Sequence, residues 1–464
     1  MKVQERSVDY AALNQPTELR PLGEVIKPTR PRVKPSEKPH LPFIGMEHVE
    51  AHTMRLLGTV PASTMKSSAV HFQPGDVLYG RLRPYLNKVF RPDFEGLCSA
   101  EFIVFPKTES LDSRYLQYFL NSTEFVSFAT HLNAGDRPRV DFDQLAPYPF
   151  PVAPLDQQKR IVAEIEKQFS RLDEAVANLK RVKANLKRYK AAVLKAAVEG
   201  RLVETEAELA RREGRSYETG EQLLQSILET RRSQWQGKGK YKEPAAPDTT
   251  DLPELPEGWV WCGFEQVSVS DKHALKAGPF GSALKKEFYS ESGYKIYGQE
   301  QVISGDSTFG DYFIDEAKYR ELESCAVKPG DLLISLVGTA GKVLVLPPTA
   351  SPGIINPRLL KLSLNQIHIE PAYAAYMLQS AWAKHYFKLQ GHGGTMEILN
   401  LGIIKALPVP LPPLTEQHRI VAEVDRRLTL LCATEVQVEA NLQRAQLLRQ
   451  SVLSKAFTGT SIEN

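Results

Sequence analysis

PLDQQKRIVAE (Pro154–Glu164) and PLTEQHRIVAE (Pro413–Glu423) are two copies of one segment within a single chain of 464 residues. Each follows a proline-rich run, PYPFPVAP or ALPVPLPP, and each opens a long helical pattern. Proline is disfavoured inside a helix but fits its first turn, so each copy marks a place where extended chain gives way to a helix. Internal self-similarity on this scale means that the chain is built twice. Two like halves joined by long helices suggest a molecule that reads two similar things a set distance apart.

The helical patterns are heptads. In the first, Ile165, Leu172, Leu179, Leu186 and Val193 recur every seven residues, with Ala175, Val182, Tyr189 and Ala196 between them. In the second, Val424, Leu431, Val438, Ala445 and Val452 hold the equivalent sites, and Arg427, Thr434 and Asn441 make the intervening set polar. A sustained apolar heptad is a coiled-coil seam, and polar residues within one usually set register or partner choice. Asp156 and Thr415 are the expected N-caps, Gly200 and Gly459 the expected stops. A helix from about 156 to 199 is about 65 Å long at ~1.5 Å per residue, long enough to act as a spacer or an assembly rod.

The match extends outward from the copies. Leu19, Leu22 and Val25 fall on Trp261, Phe264 and Val267; IGMEHV (Ile44–Val49) falls on YGQEQV (Tyr297–Val302); FQPGDVL (Phe72–Leu78) falls on VKPGDLL (Val327–Leu333). Tyr115 and Tyr118 fall on Tyr373 and Tyr376, and Gly135 on Gly394. The offset drifts slowly, as it does when loops differ in length around a shared framework. Short β-rich runs (FIVF, 102–105; LLISLV, 332–337; KVLVLP, 342–347) separated by Pro-Gly-Asp turns predict strands, and 113–122 and 372–381 predict short helices. The expected fold class is α+β: two similar globular domains, 1–152 and 255–410, with long helices at 153–202 and 411–464. Between them, 203–254 is helical at EQLLQSILETRR (Glu221–Arg232) and then rich in Gly, Pro and charge, as an exposed linker is.

Hydrophobic content of 42% and charged content of 24% are those of an ordinary folded protein. Cys98, Cys262, Cys325 and Cys432 are far apart and form no metal-ligand spacing, so zinc is not expected and reduced thiols in a cytoplasmic setting are. MKVQERSVDY has no apolar core and no run approaches a membrane span, so neither a secretion signal nor a membrane partner is expected. A net charge of +3 neither favours nor excludes nucleic acid.

The order of domain, PLxxQxRIVAE helix, linker, LPEGW (255–259) domain and PPLTEQxRIVAE helix resembles the specificity subunit of Type I restriction–modification enzymes. GPFGSAL (278–284) and the Pro-Gly-Asp strands carry the same resemblance, which covers nearly the whole chain. The first domain departs from it in opening with PTELRPLGEV in place of LPEGW. The resemblance implies two target recognition domains, each reading half of a split double-stranded DNA sequence. It implies two long helices packed as an antiparallel coiled coil that sets the gap, and no chemistry in this chain. It further implies two modification (methyltransferase) subunits bringing S-adenosylmethionine, and restriction subunits using ATP and Mg²⁺. Two alternatives stay open: the recognition subunit of a related system that cuts and methylates in one polypeptide, and a protein-interaction scaffold.

DNA reading needs Arg and Lys for phosphates and guanine, and polar side chains for other base edges. In the first domain GRLRPYLNK places Arg81, Arg83, Tyr85, Asn87 and Lys88 in one loop, and HLNAGDRPRVDF offers His131, Asn133, Arg137 and Arg139. These arginines could instead be solvated, or paired with Asp136 and Asp141. In the second domain GTAGK matches the first loop and offers Lys342; GHGGTME (391–397) matches the second and offers Thr395. GPFGSALKKEF adds Ser282, Lys285 and Lys286. Lys180–Arg201 carries eight Lys or Arg against one acid, Glu199, which is either a solvated helix face or a track for the DNA backbone. If the two domains read different half-sites, framework should repeat and contact loops should differ, which is the observed pattern. Catalytic signatures do not form: GPFGS lacks the GK[ST] of a phosphate loop, no Asn/Asp-Pro-Pro-aromatic run occurs, and the ten histidines do not cluster.

Overall fold

The structure is a computed structural model, and residues 18–29, 31–236, 239–390 and 399–458 are described. The chain divides into two compact units, Met1–Val182 with Gln437–Asn464, and Lys183–Val436. The boundary falls inside both long helices, which run Leu155–Val198 and Leu414–Thr458.

In the first unit, Glu18–Pro21 pairs antiparallel with Pro149–Val152, and Leu22–Val25 follows as a helical turn. In the second, Val260–Gly263 pairs with Pro408–Leu411, and Phe264–Val267 follows. Glu18–Pro21, within the PTELRPLGEV opening, thus corresponds to Val260–Gly263, the strand that follows LPEGW. Each unit also has a parallel strand pair, Pro42–Ile44 beside Gly96–Ser99 and Tyr294–Tyr297 beside Gly353–Ile355. An antiparallel sheet holds Val77–Gly80 against Phe102–Phe105 in one unit and Leu332–Ser335 against Leu359–Leu362 in the other. Helices Ser113–Leu120 and Pro371–Gln379 come next in the chain. Tyr115 Oη donates to Pro151 O (3.1 Å) and Tyr373 Oη to Pro410 O (2.7 Å), so both aligned tyrosines tie a helix to the proline strand ahead of the repeat.

The repeat itself is a clamp. Gln158 and Gln417 are buried. Gln158 Oε1 accepts from Asp112 N (2.8 Å) while its Nε2 donates to Ser110 O and Ala153 O. Gln417 Oε1 accepts from Glu370 N (2.9 Å) while its Nε2 donates to His368 O and Pro412 O. Asp112 and Glu370 cap the helices at Ser113 and Pro371, so one glutamine locks the long helix to the start of the short one. In the second unit the neighbouring Glu416 is fully buried and accepts from Trp259 Nε1 (3.1 Å) and Glu206 N (2.8 Å), which ties LPEGW and the linker to the helix. Burial pushes its carboxyl above the ordinary value against these hydrogen bonds.

The long helices begin at Leu155 and Leu414, so Asp156 and Thr415 are first-turn residues and not caps; Pro154 O accepts from Gln157 N and Gln158 N directly. The first helix ends at Val198, with Gly200 left-handed at φ 66°; Gly459 lies outside the described residues. The pairing is antiparallel. In the first unit Ile165, Phe169 and Leu172 pack in one core with Val452 and Leu453, and Asp173 pairs with Arg449 (2.6 Å). In the second, Val193, Leu194 and Ala197 pack with Ile420 and Val424, and Arg427 donates to Tyr189 Oη (3.4 Å). Of the remaining seam residues, Leu431, Val438 and Ala445 are buried and Leu179 and Leu186 half-buried. The intervening Val182 and Tyr189 stay exposed (41% and 46%), so the seam is narrow, as befits one antiparallel neighbour.

Candidate nucleic-acid interface

The loop after strand Val77–Gly80 is stitched to a second loop by backbone hydrogen bonds. Arg81 N donates to Glu101 O (2.9 Å), Val140 N to Arg81 O (3.0 Å) and Arg83 N to Pro138 O (2.7 Å). This brings Arg81, Arg83, Arg137 and Arg139 to one edge of the sheet. Arg81 pairs with Asp141, and Arg139 with Glu101 (2.6 Å). Arg137 is exposed and makes no ion pair among the described residues. Tyr85 is exposed, at 41%. Lys88 Nζ donates to Met46 O (2.6 Å), which leaves it half-buried. Asn87 is buried, and its Nδ2 donates to Asn121 O (3.3 Å), so its amide faces the body of the domain.

The second unit repeats this stitching with other side chains. Gly80 N donates to Lys88 O (2.8 Å) and Ser335 N to Lys342 O (2.9 Å); Leu336 N donates to Arg358 O (3.0 Å) and Leu399 N to Leu336 O (3.0 Å). On this common frame Lys88 corresponds to Lys342, Gly80 to Ser335, Arg81 to Leu336 and Glu101 to Arg358. Met46 corresponds to Gln299 through the parallel strands. Charge is therefore redistributed on an unchanged backbone. Gln299 donates to Ser335 Oγ (2.8 Å) and accepts from Arg358 Nη1 (3.4 Å); Ser335 Oγ lies 2.9 Å from Thr339 Oγ1. Lys342, Ser282 and Lys285 are exposed, Lys285 beside Glu287 (3.6 Å). Thr395 lies outside the described residues.

Sequence reasoning missed Gln299 and Arg358. The signal for Gln299 was present in IGMEHV over YGQEQV, where Met46 meets a Gln between matched residues. Arg358 could be found only through the strand register.

Backbone strain gathers at the first unit's loops. Among the described residues, the non-glycine residues with positive φ are His52 (62°), Met54 (59°), Arg83 (53°) and Asn87 (44°), and His52 N donates to Asn87 O (3.1 Å). After the matching strand in the second unit, the left-handed positions are Gly305 and Gly310. A side chain there costs about 1–2 kcal/mol, and such strain concentrates at functional sites. His52→Gly should therefore raise the melting temperature of the first unit by about 2 °C, allowing for the looser unfolded chain. Calorimetry showing a lower melting temperature would mean that the His52 side chain makes a stabilising contact.

Among the described residues no helix is long and apolar enough to cross a membrane, and no group of three or more His, Cys, Asp or Glu is placed to hold a metal ion. A family model described as the Type I restriction modification DNA specificity domain matches residues 14–188 and 280–441. The Type I restriction enzyme EcoDI specificity subunit of Escherichia coli is 27% identical over 173 residues, 36% of this chain and 38% of that one. The EcoBI specificity subunit of Escherichia coli is 25% identical over 317 residues, 67% and 57% of the two chains. The chain thus spans less than two thirds of the length of either relative. A solved structure concerned with complex assembly and conformational transition of the type I R-M system has a similar fold, with a TM-score of 0.65 at 21% identity over 96% of this chain and 98% of that one. With most of its length matched by that family model, and with the duplicated fold to go with it, this chain belongs to the family of the Type I restriction modification DNA specificity domain.

Proposed function

We propose that this chain is the DNA-specificity subunit of a Type I restriction–modification complex, reading a bipartite double-stranded target with one half-site per unit. The observation that carries this reading is the shared hydrogen-bonded frame, Gly80–Lys88–Glu101–Val140 in one unit and Ser335–Lys342–Arg358–Leu399 in the other, dressed with different side chains. A protein that must read two different sequences with one architecture keeps the frame and varies the readers. Cationic Arg137 and Lys342 serve phosphates, and Gln299 and Arg358 are of the types that read adenine and guanine edges. The chain itself carries no catalysis. Modification subunits dock on it and bring S-adenosylmethionine for adenine methylation, and restriction subunits bring ATP and Mg²⁺. The paired helices set the gap between half-sites.

Methylome sequencing of cells carrying this chain with its modification subunit should reveal methyladenine in a split motif. In the same assay Arg81→Ala and Arg139→Ala should relax one half of that motif and leave the other intact, weakening discrimination there by about 1–3 kcal/mol, roughly 5- to 150-fold. Both halves read as before in both variants would remove these loops from the interface. No split motif would overturn the assignment.

A further inference from the structure

We propose that Phe280 is a wedge that enters the base stack of the half-site read by the second unit, kinking the DNA there and not at the other half-site. The inference rests on the DNA-reading role proposed above and adds a residue and a mode of recognition to it.

Phe280 is 88% exposed, the highest value of any large hydrophobic side chain among the described residues. Holding that ring in water forgoes about 1.5–3 kcal/mol of burial. The loop that carries it is stapled at both ends. On one side, strand Leu275–Ala277 pairs with Leu359–Leu362, and Gly278 N donates to Leu359 O (2.9 Å). Gly278 lies so close to the neighbouring chain that a Cβ there would sit 1.9 Å from Asn356 O. On the other side, Ala283 N donates to Phe280 O (2.8 Å), and Leu284 is buried in the core with Ile296 and Tyr297. Phe280 is thus the apex of a braced turn, a placement that preorganises it for insertion.

Its surroundings point to DNA as the occupant. Ser282, Lys285 and Lys286 are exposed on the same loop and can take phosphates on either side of an inserted ring. The loop abuts Asn356, two residues from Arg358, which donates to Gln299 in the interface already described. Apolar side chains pushed between base pairs unstack one step at a cost of a few kcal/mol and bend the duplex, which lets more of the protein touch it. Sequence-dependent stiffness at that step then contributes specificity without a base-edge hydrogen bond. In the first unit the corresponding segment follows the Thr29–Val104 bridge and reads TRPRV (Thr29–Val33), with no aromatic residue. The distortion should therefore be one-sided.

The test uses the assembly purified from cells carrying this chain, with duplexes of its target bearing 2-aminopurine at successive positions other than the adenines that are methylated, since a methyltransferase unstacks those itself. Binding should raise emission several-fold at one step of one half-site and at no position of the other. Phe280→Ala should abolish that rise and lower affinity for that half-site about 10-fold, while Phe280→Leu, which keeps an apolar wedge, should retain most of both. Specific binding with no rise at any position, or a rise that survives Phe280→Ala, overturns the wedge and leaves the DNA-reading role standing. Absence of specific binding by the wild-type assembly overturns the DNA-reading role, and the wedge with it.

Discussion

Gln417→Leu should lower the melting temperature of the second unit by about 10 °C, and Gln158→Leu should do the same to the first. Each glutamine is buried and makes three hydrogen bonds to main chain, one to an N–H and two to carbonyls. Leucine can replace none of them. The loss takes a partner from the half-buried N–H of Glu370 or Asp112 and strands the buried carbonyl of Pro412 or Ala153. A typical hydrogen bond contributes about 1 kcal/mol net, and a stranded buried polar group costs about 1–3 kcal/mol, so a total near 3–5 kcal/mol is expected. In a unit of this size that is about 10 °C. Differential scanning calorimetry gives the answer: each variant should move the transition of its own unit. A change of under 2 °C in both would mean that water replaces the side chain and that the repeat serves something other than this junction.

Inserting one heptad into both long helices at matched positions should reduce affinity for the original bipartite target by more than 100-fold, while each half-site keeps its sequence. Both helices must change because they pack antiparallel through Leu172 with Val452 and Val193 with Val424. Lengthening one alone would break those layers. Seven residues add about 10 Å of rise with little net rotation, since the helix turns close to twice. About three base pairs of DNA span the same distance but turn through roughly a third of a turn, at ~10.5 base pairs per turn. The two readers then cannot meet both half-sites without twisting the duplex. A selection over targets with varied gaps should place the new optimum at a longer gap and weaker affinity. An optimum left at the original gap would show that the helices do not set it.

Much of the fold was legible because its signals are local. The proline runs before Leu155 and Leu414, the heptads from Ile165 and Val424, and the run Phe102–Phe105 act between near neighbours in the chain, and each became the expected element. Alignment of the halves even paired Tyr115 with Tyr373, whose hydroxyls bind equivalent proline carbonyls. The helices start two residues earlier than caps at Asp156 and Thr415 imply, because the carbonyls of Pro154 and Pro413 take the first-turn N–H groups instead. The candidate interface was legible only by composition. Asn87 looked like a reader from its loop, yet it faces Asn121 and is buried. Arg81 and Arg139 met carboxylates, one of them Glu101, which no spacing suggested.

By itself, then, the sequence determined that the protein is built twice, where each domain hands over to its helix, and which face of each helix is apolar. These follow from periodicity and from proline, which act over a few residues. Only the tertiary structure decided what the repeat is for and which side chains share a surface. Asp112 and Ser110 for Gln158, Glu370 and His368 for Gln417, and the partners of the Glu101, Arg358 and Gln299 side chains all lie twenty or more residues away in sequence. Their hydrogen bonds exist only once the strands have paired and buried backbone groups need satisfying.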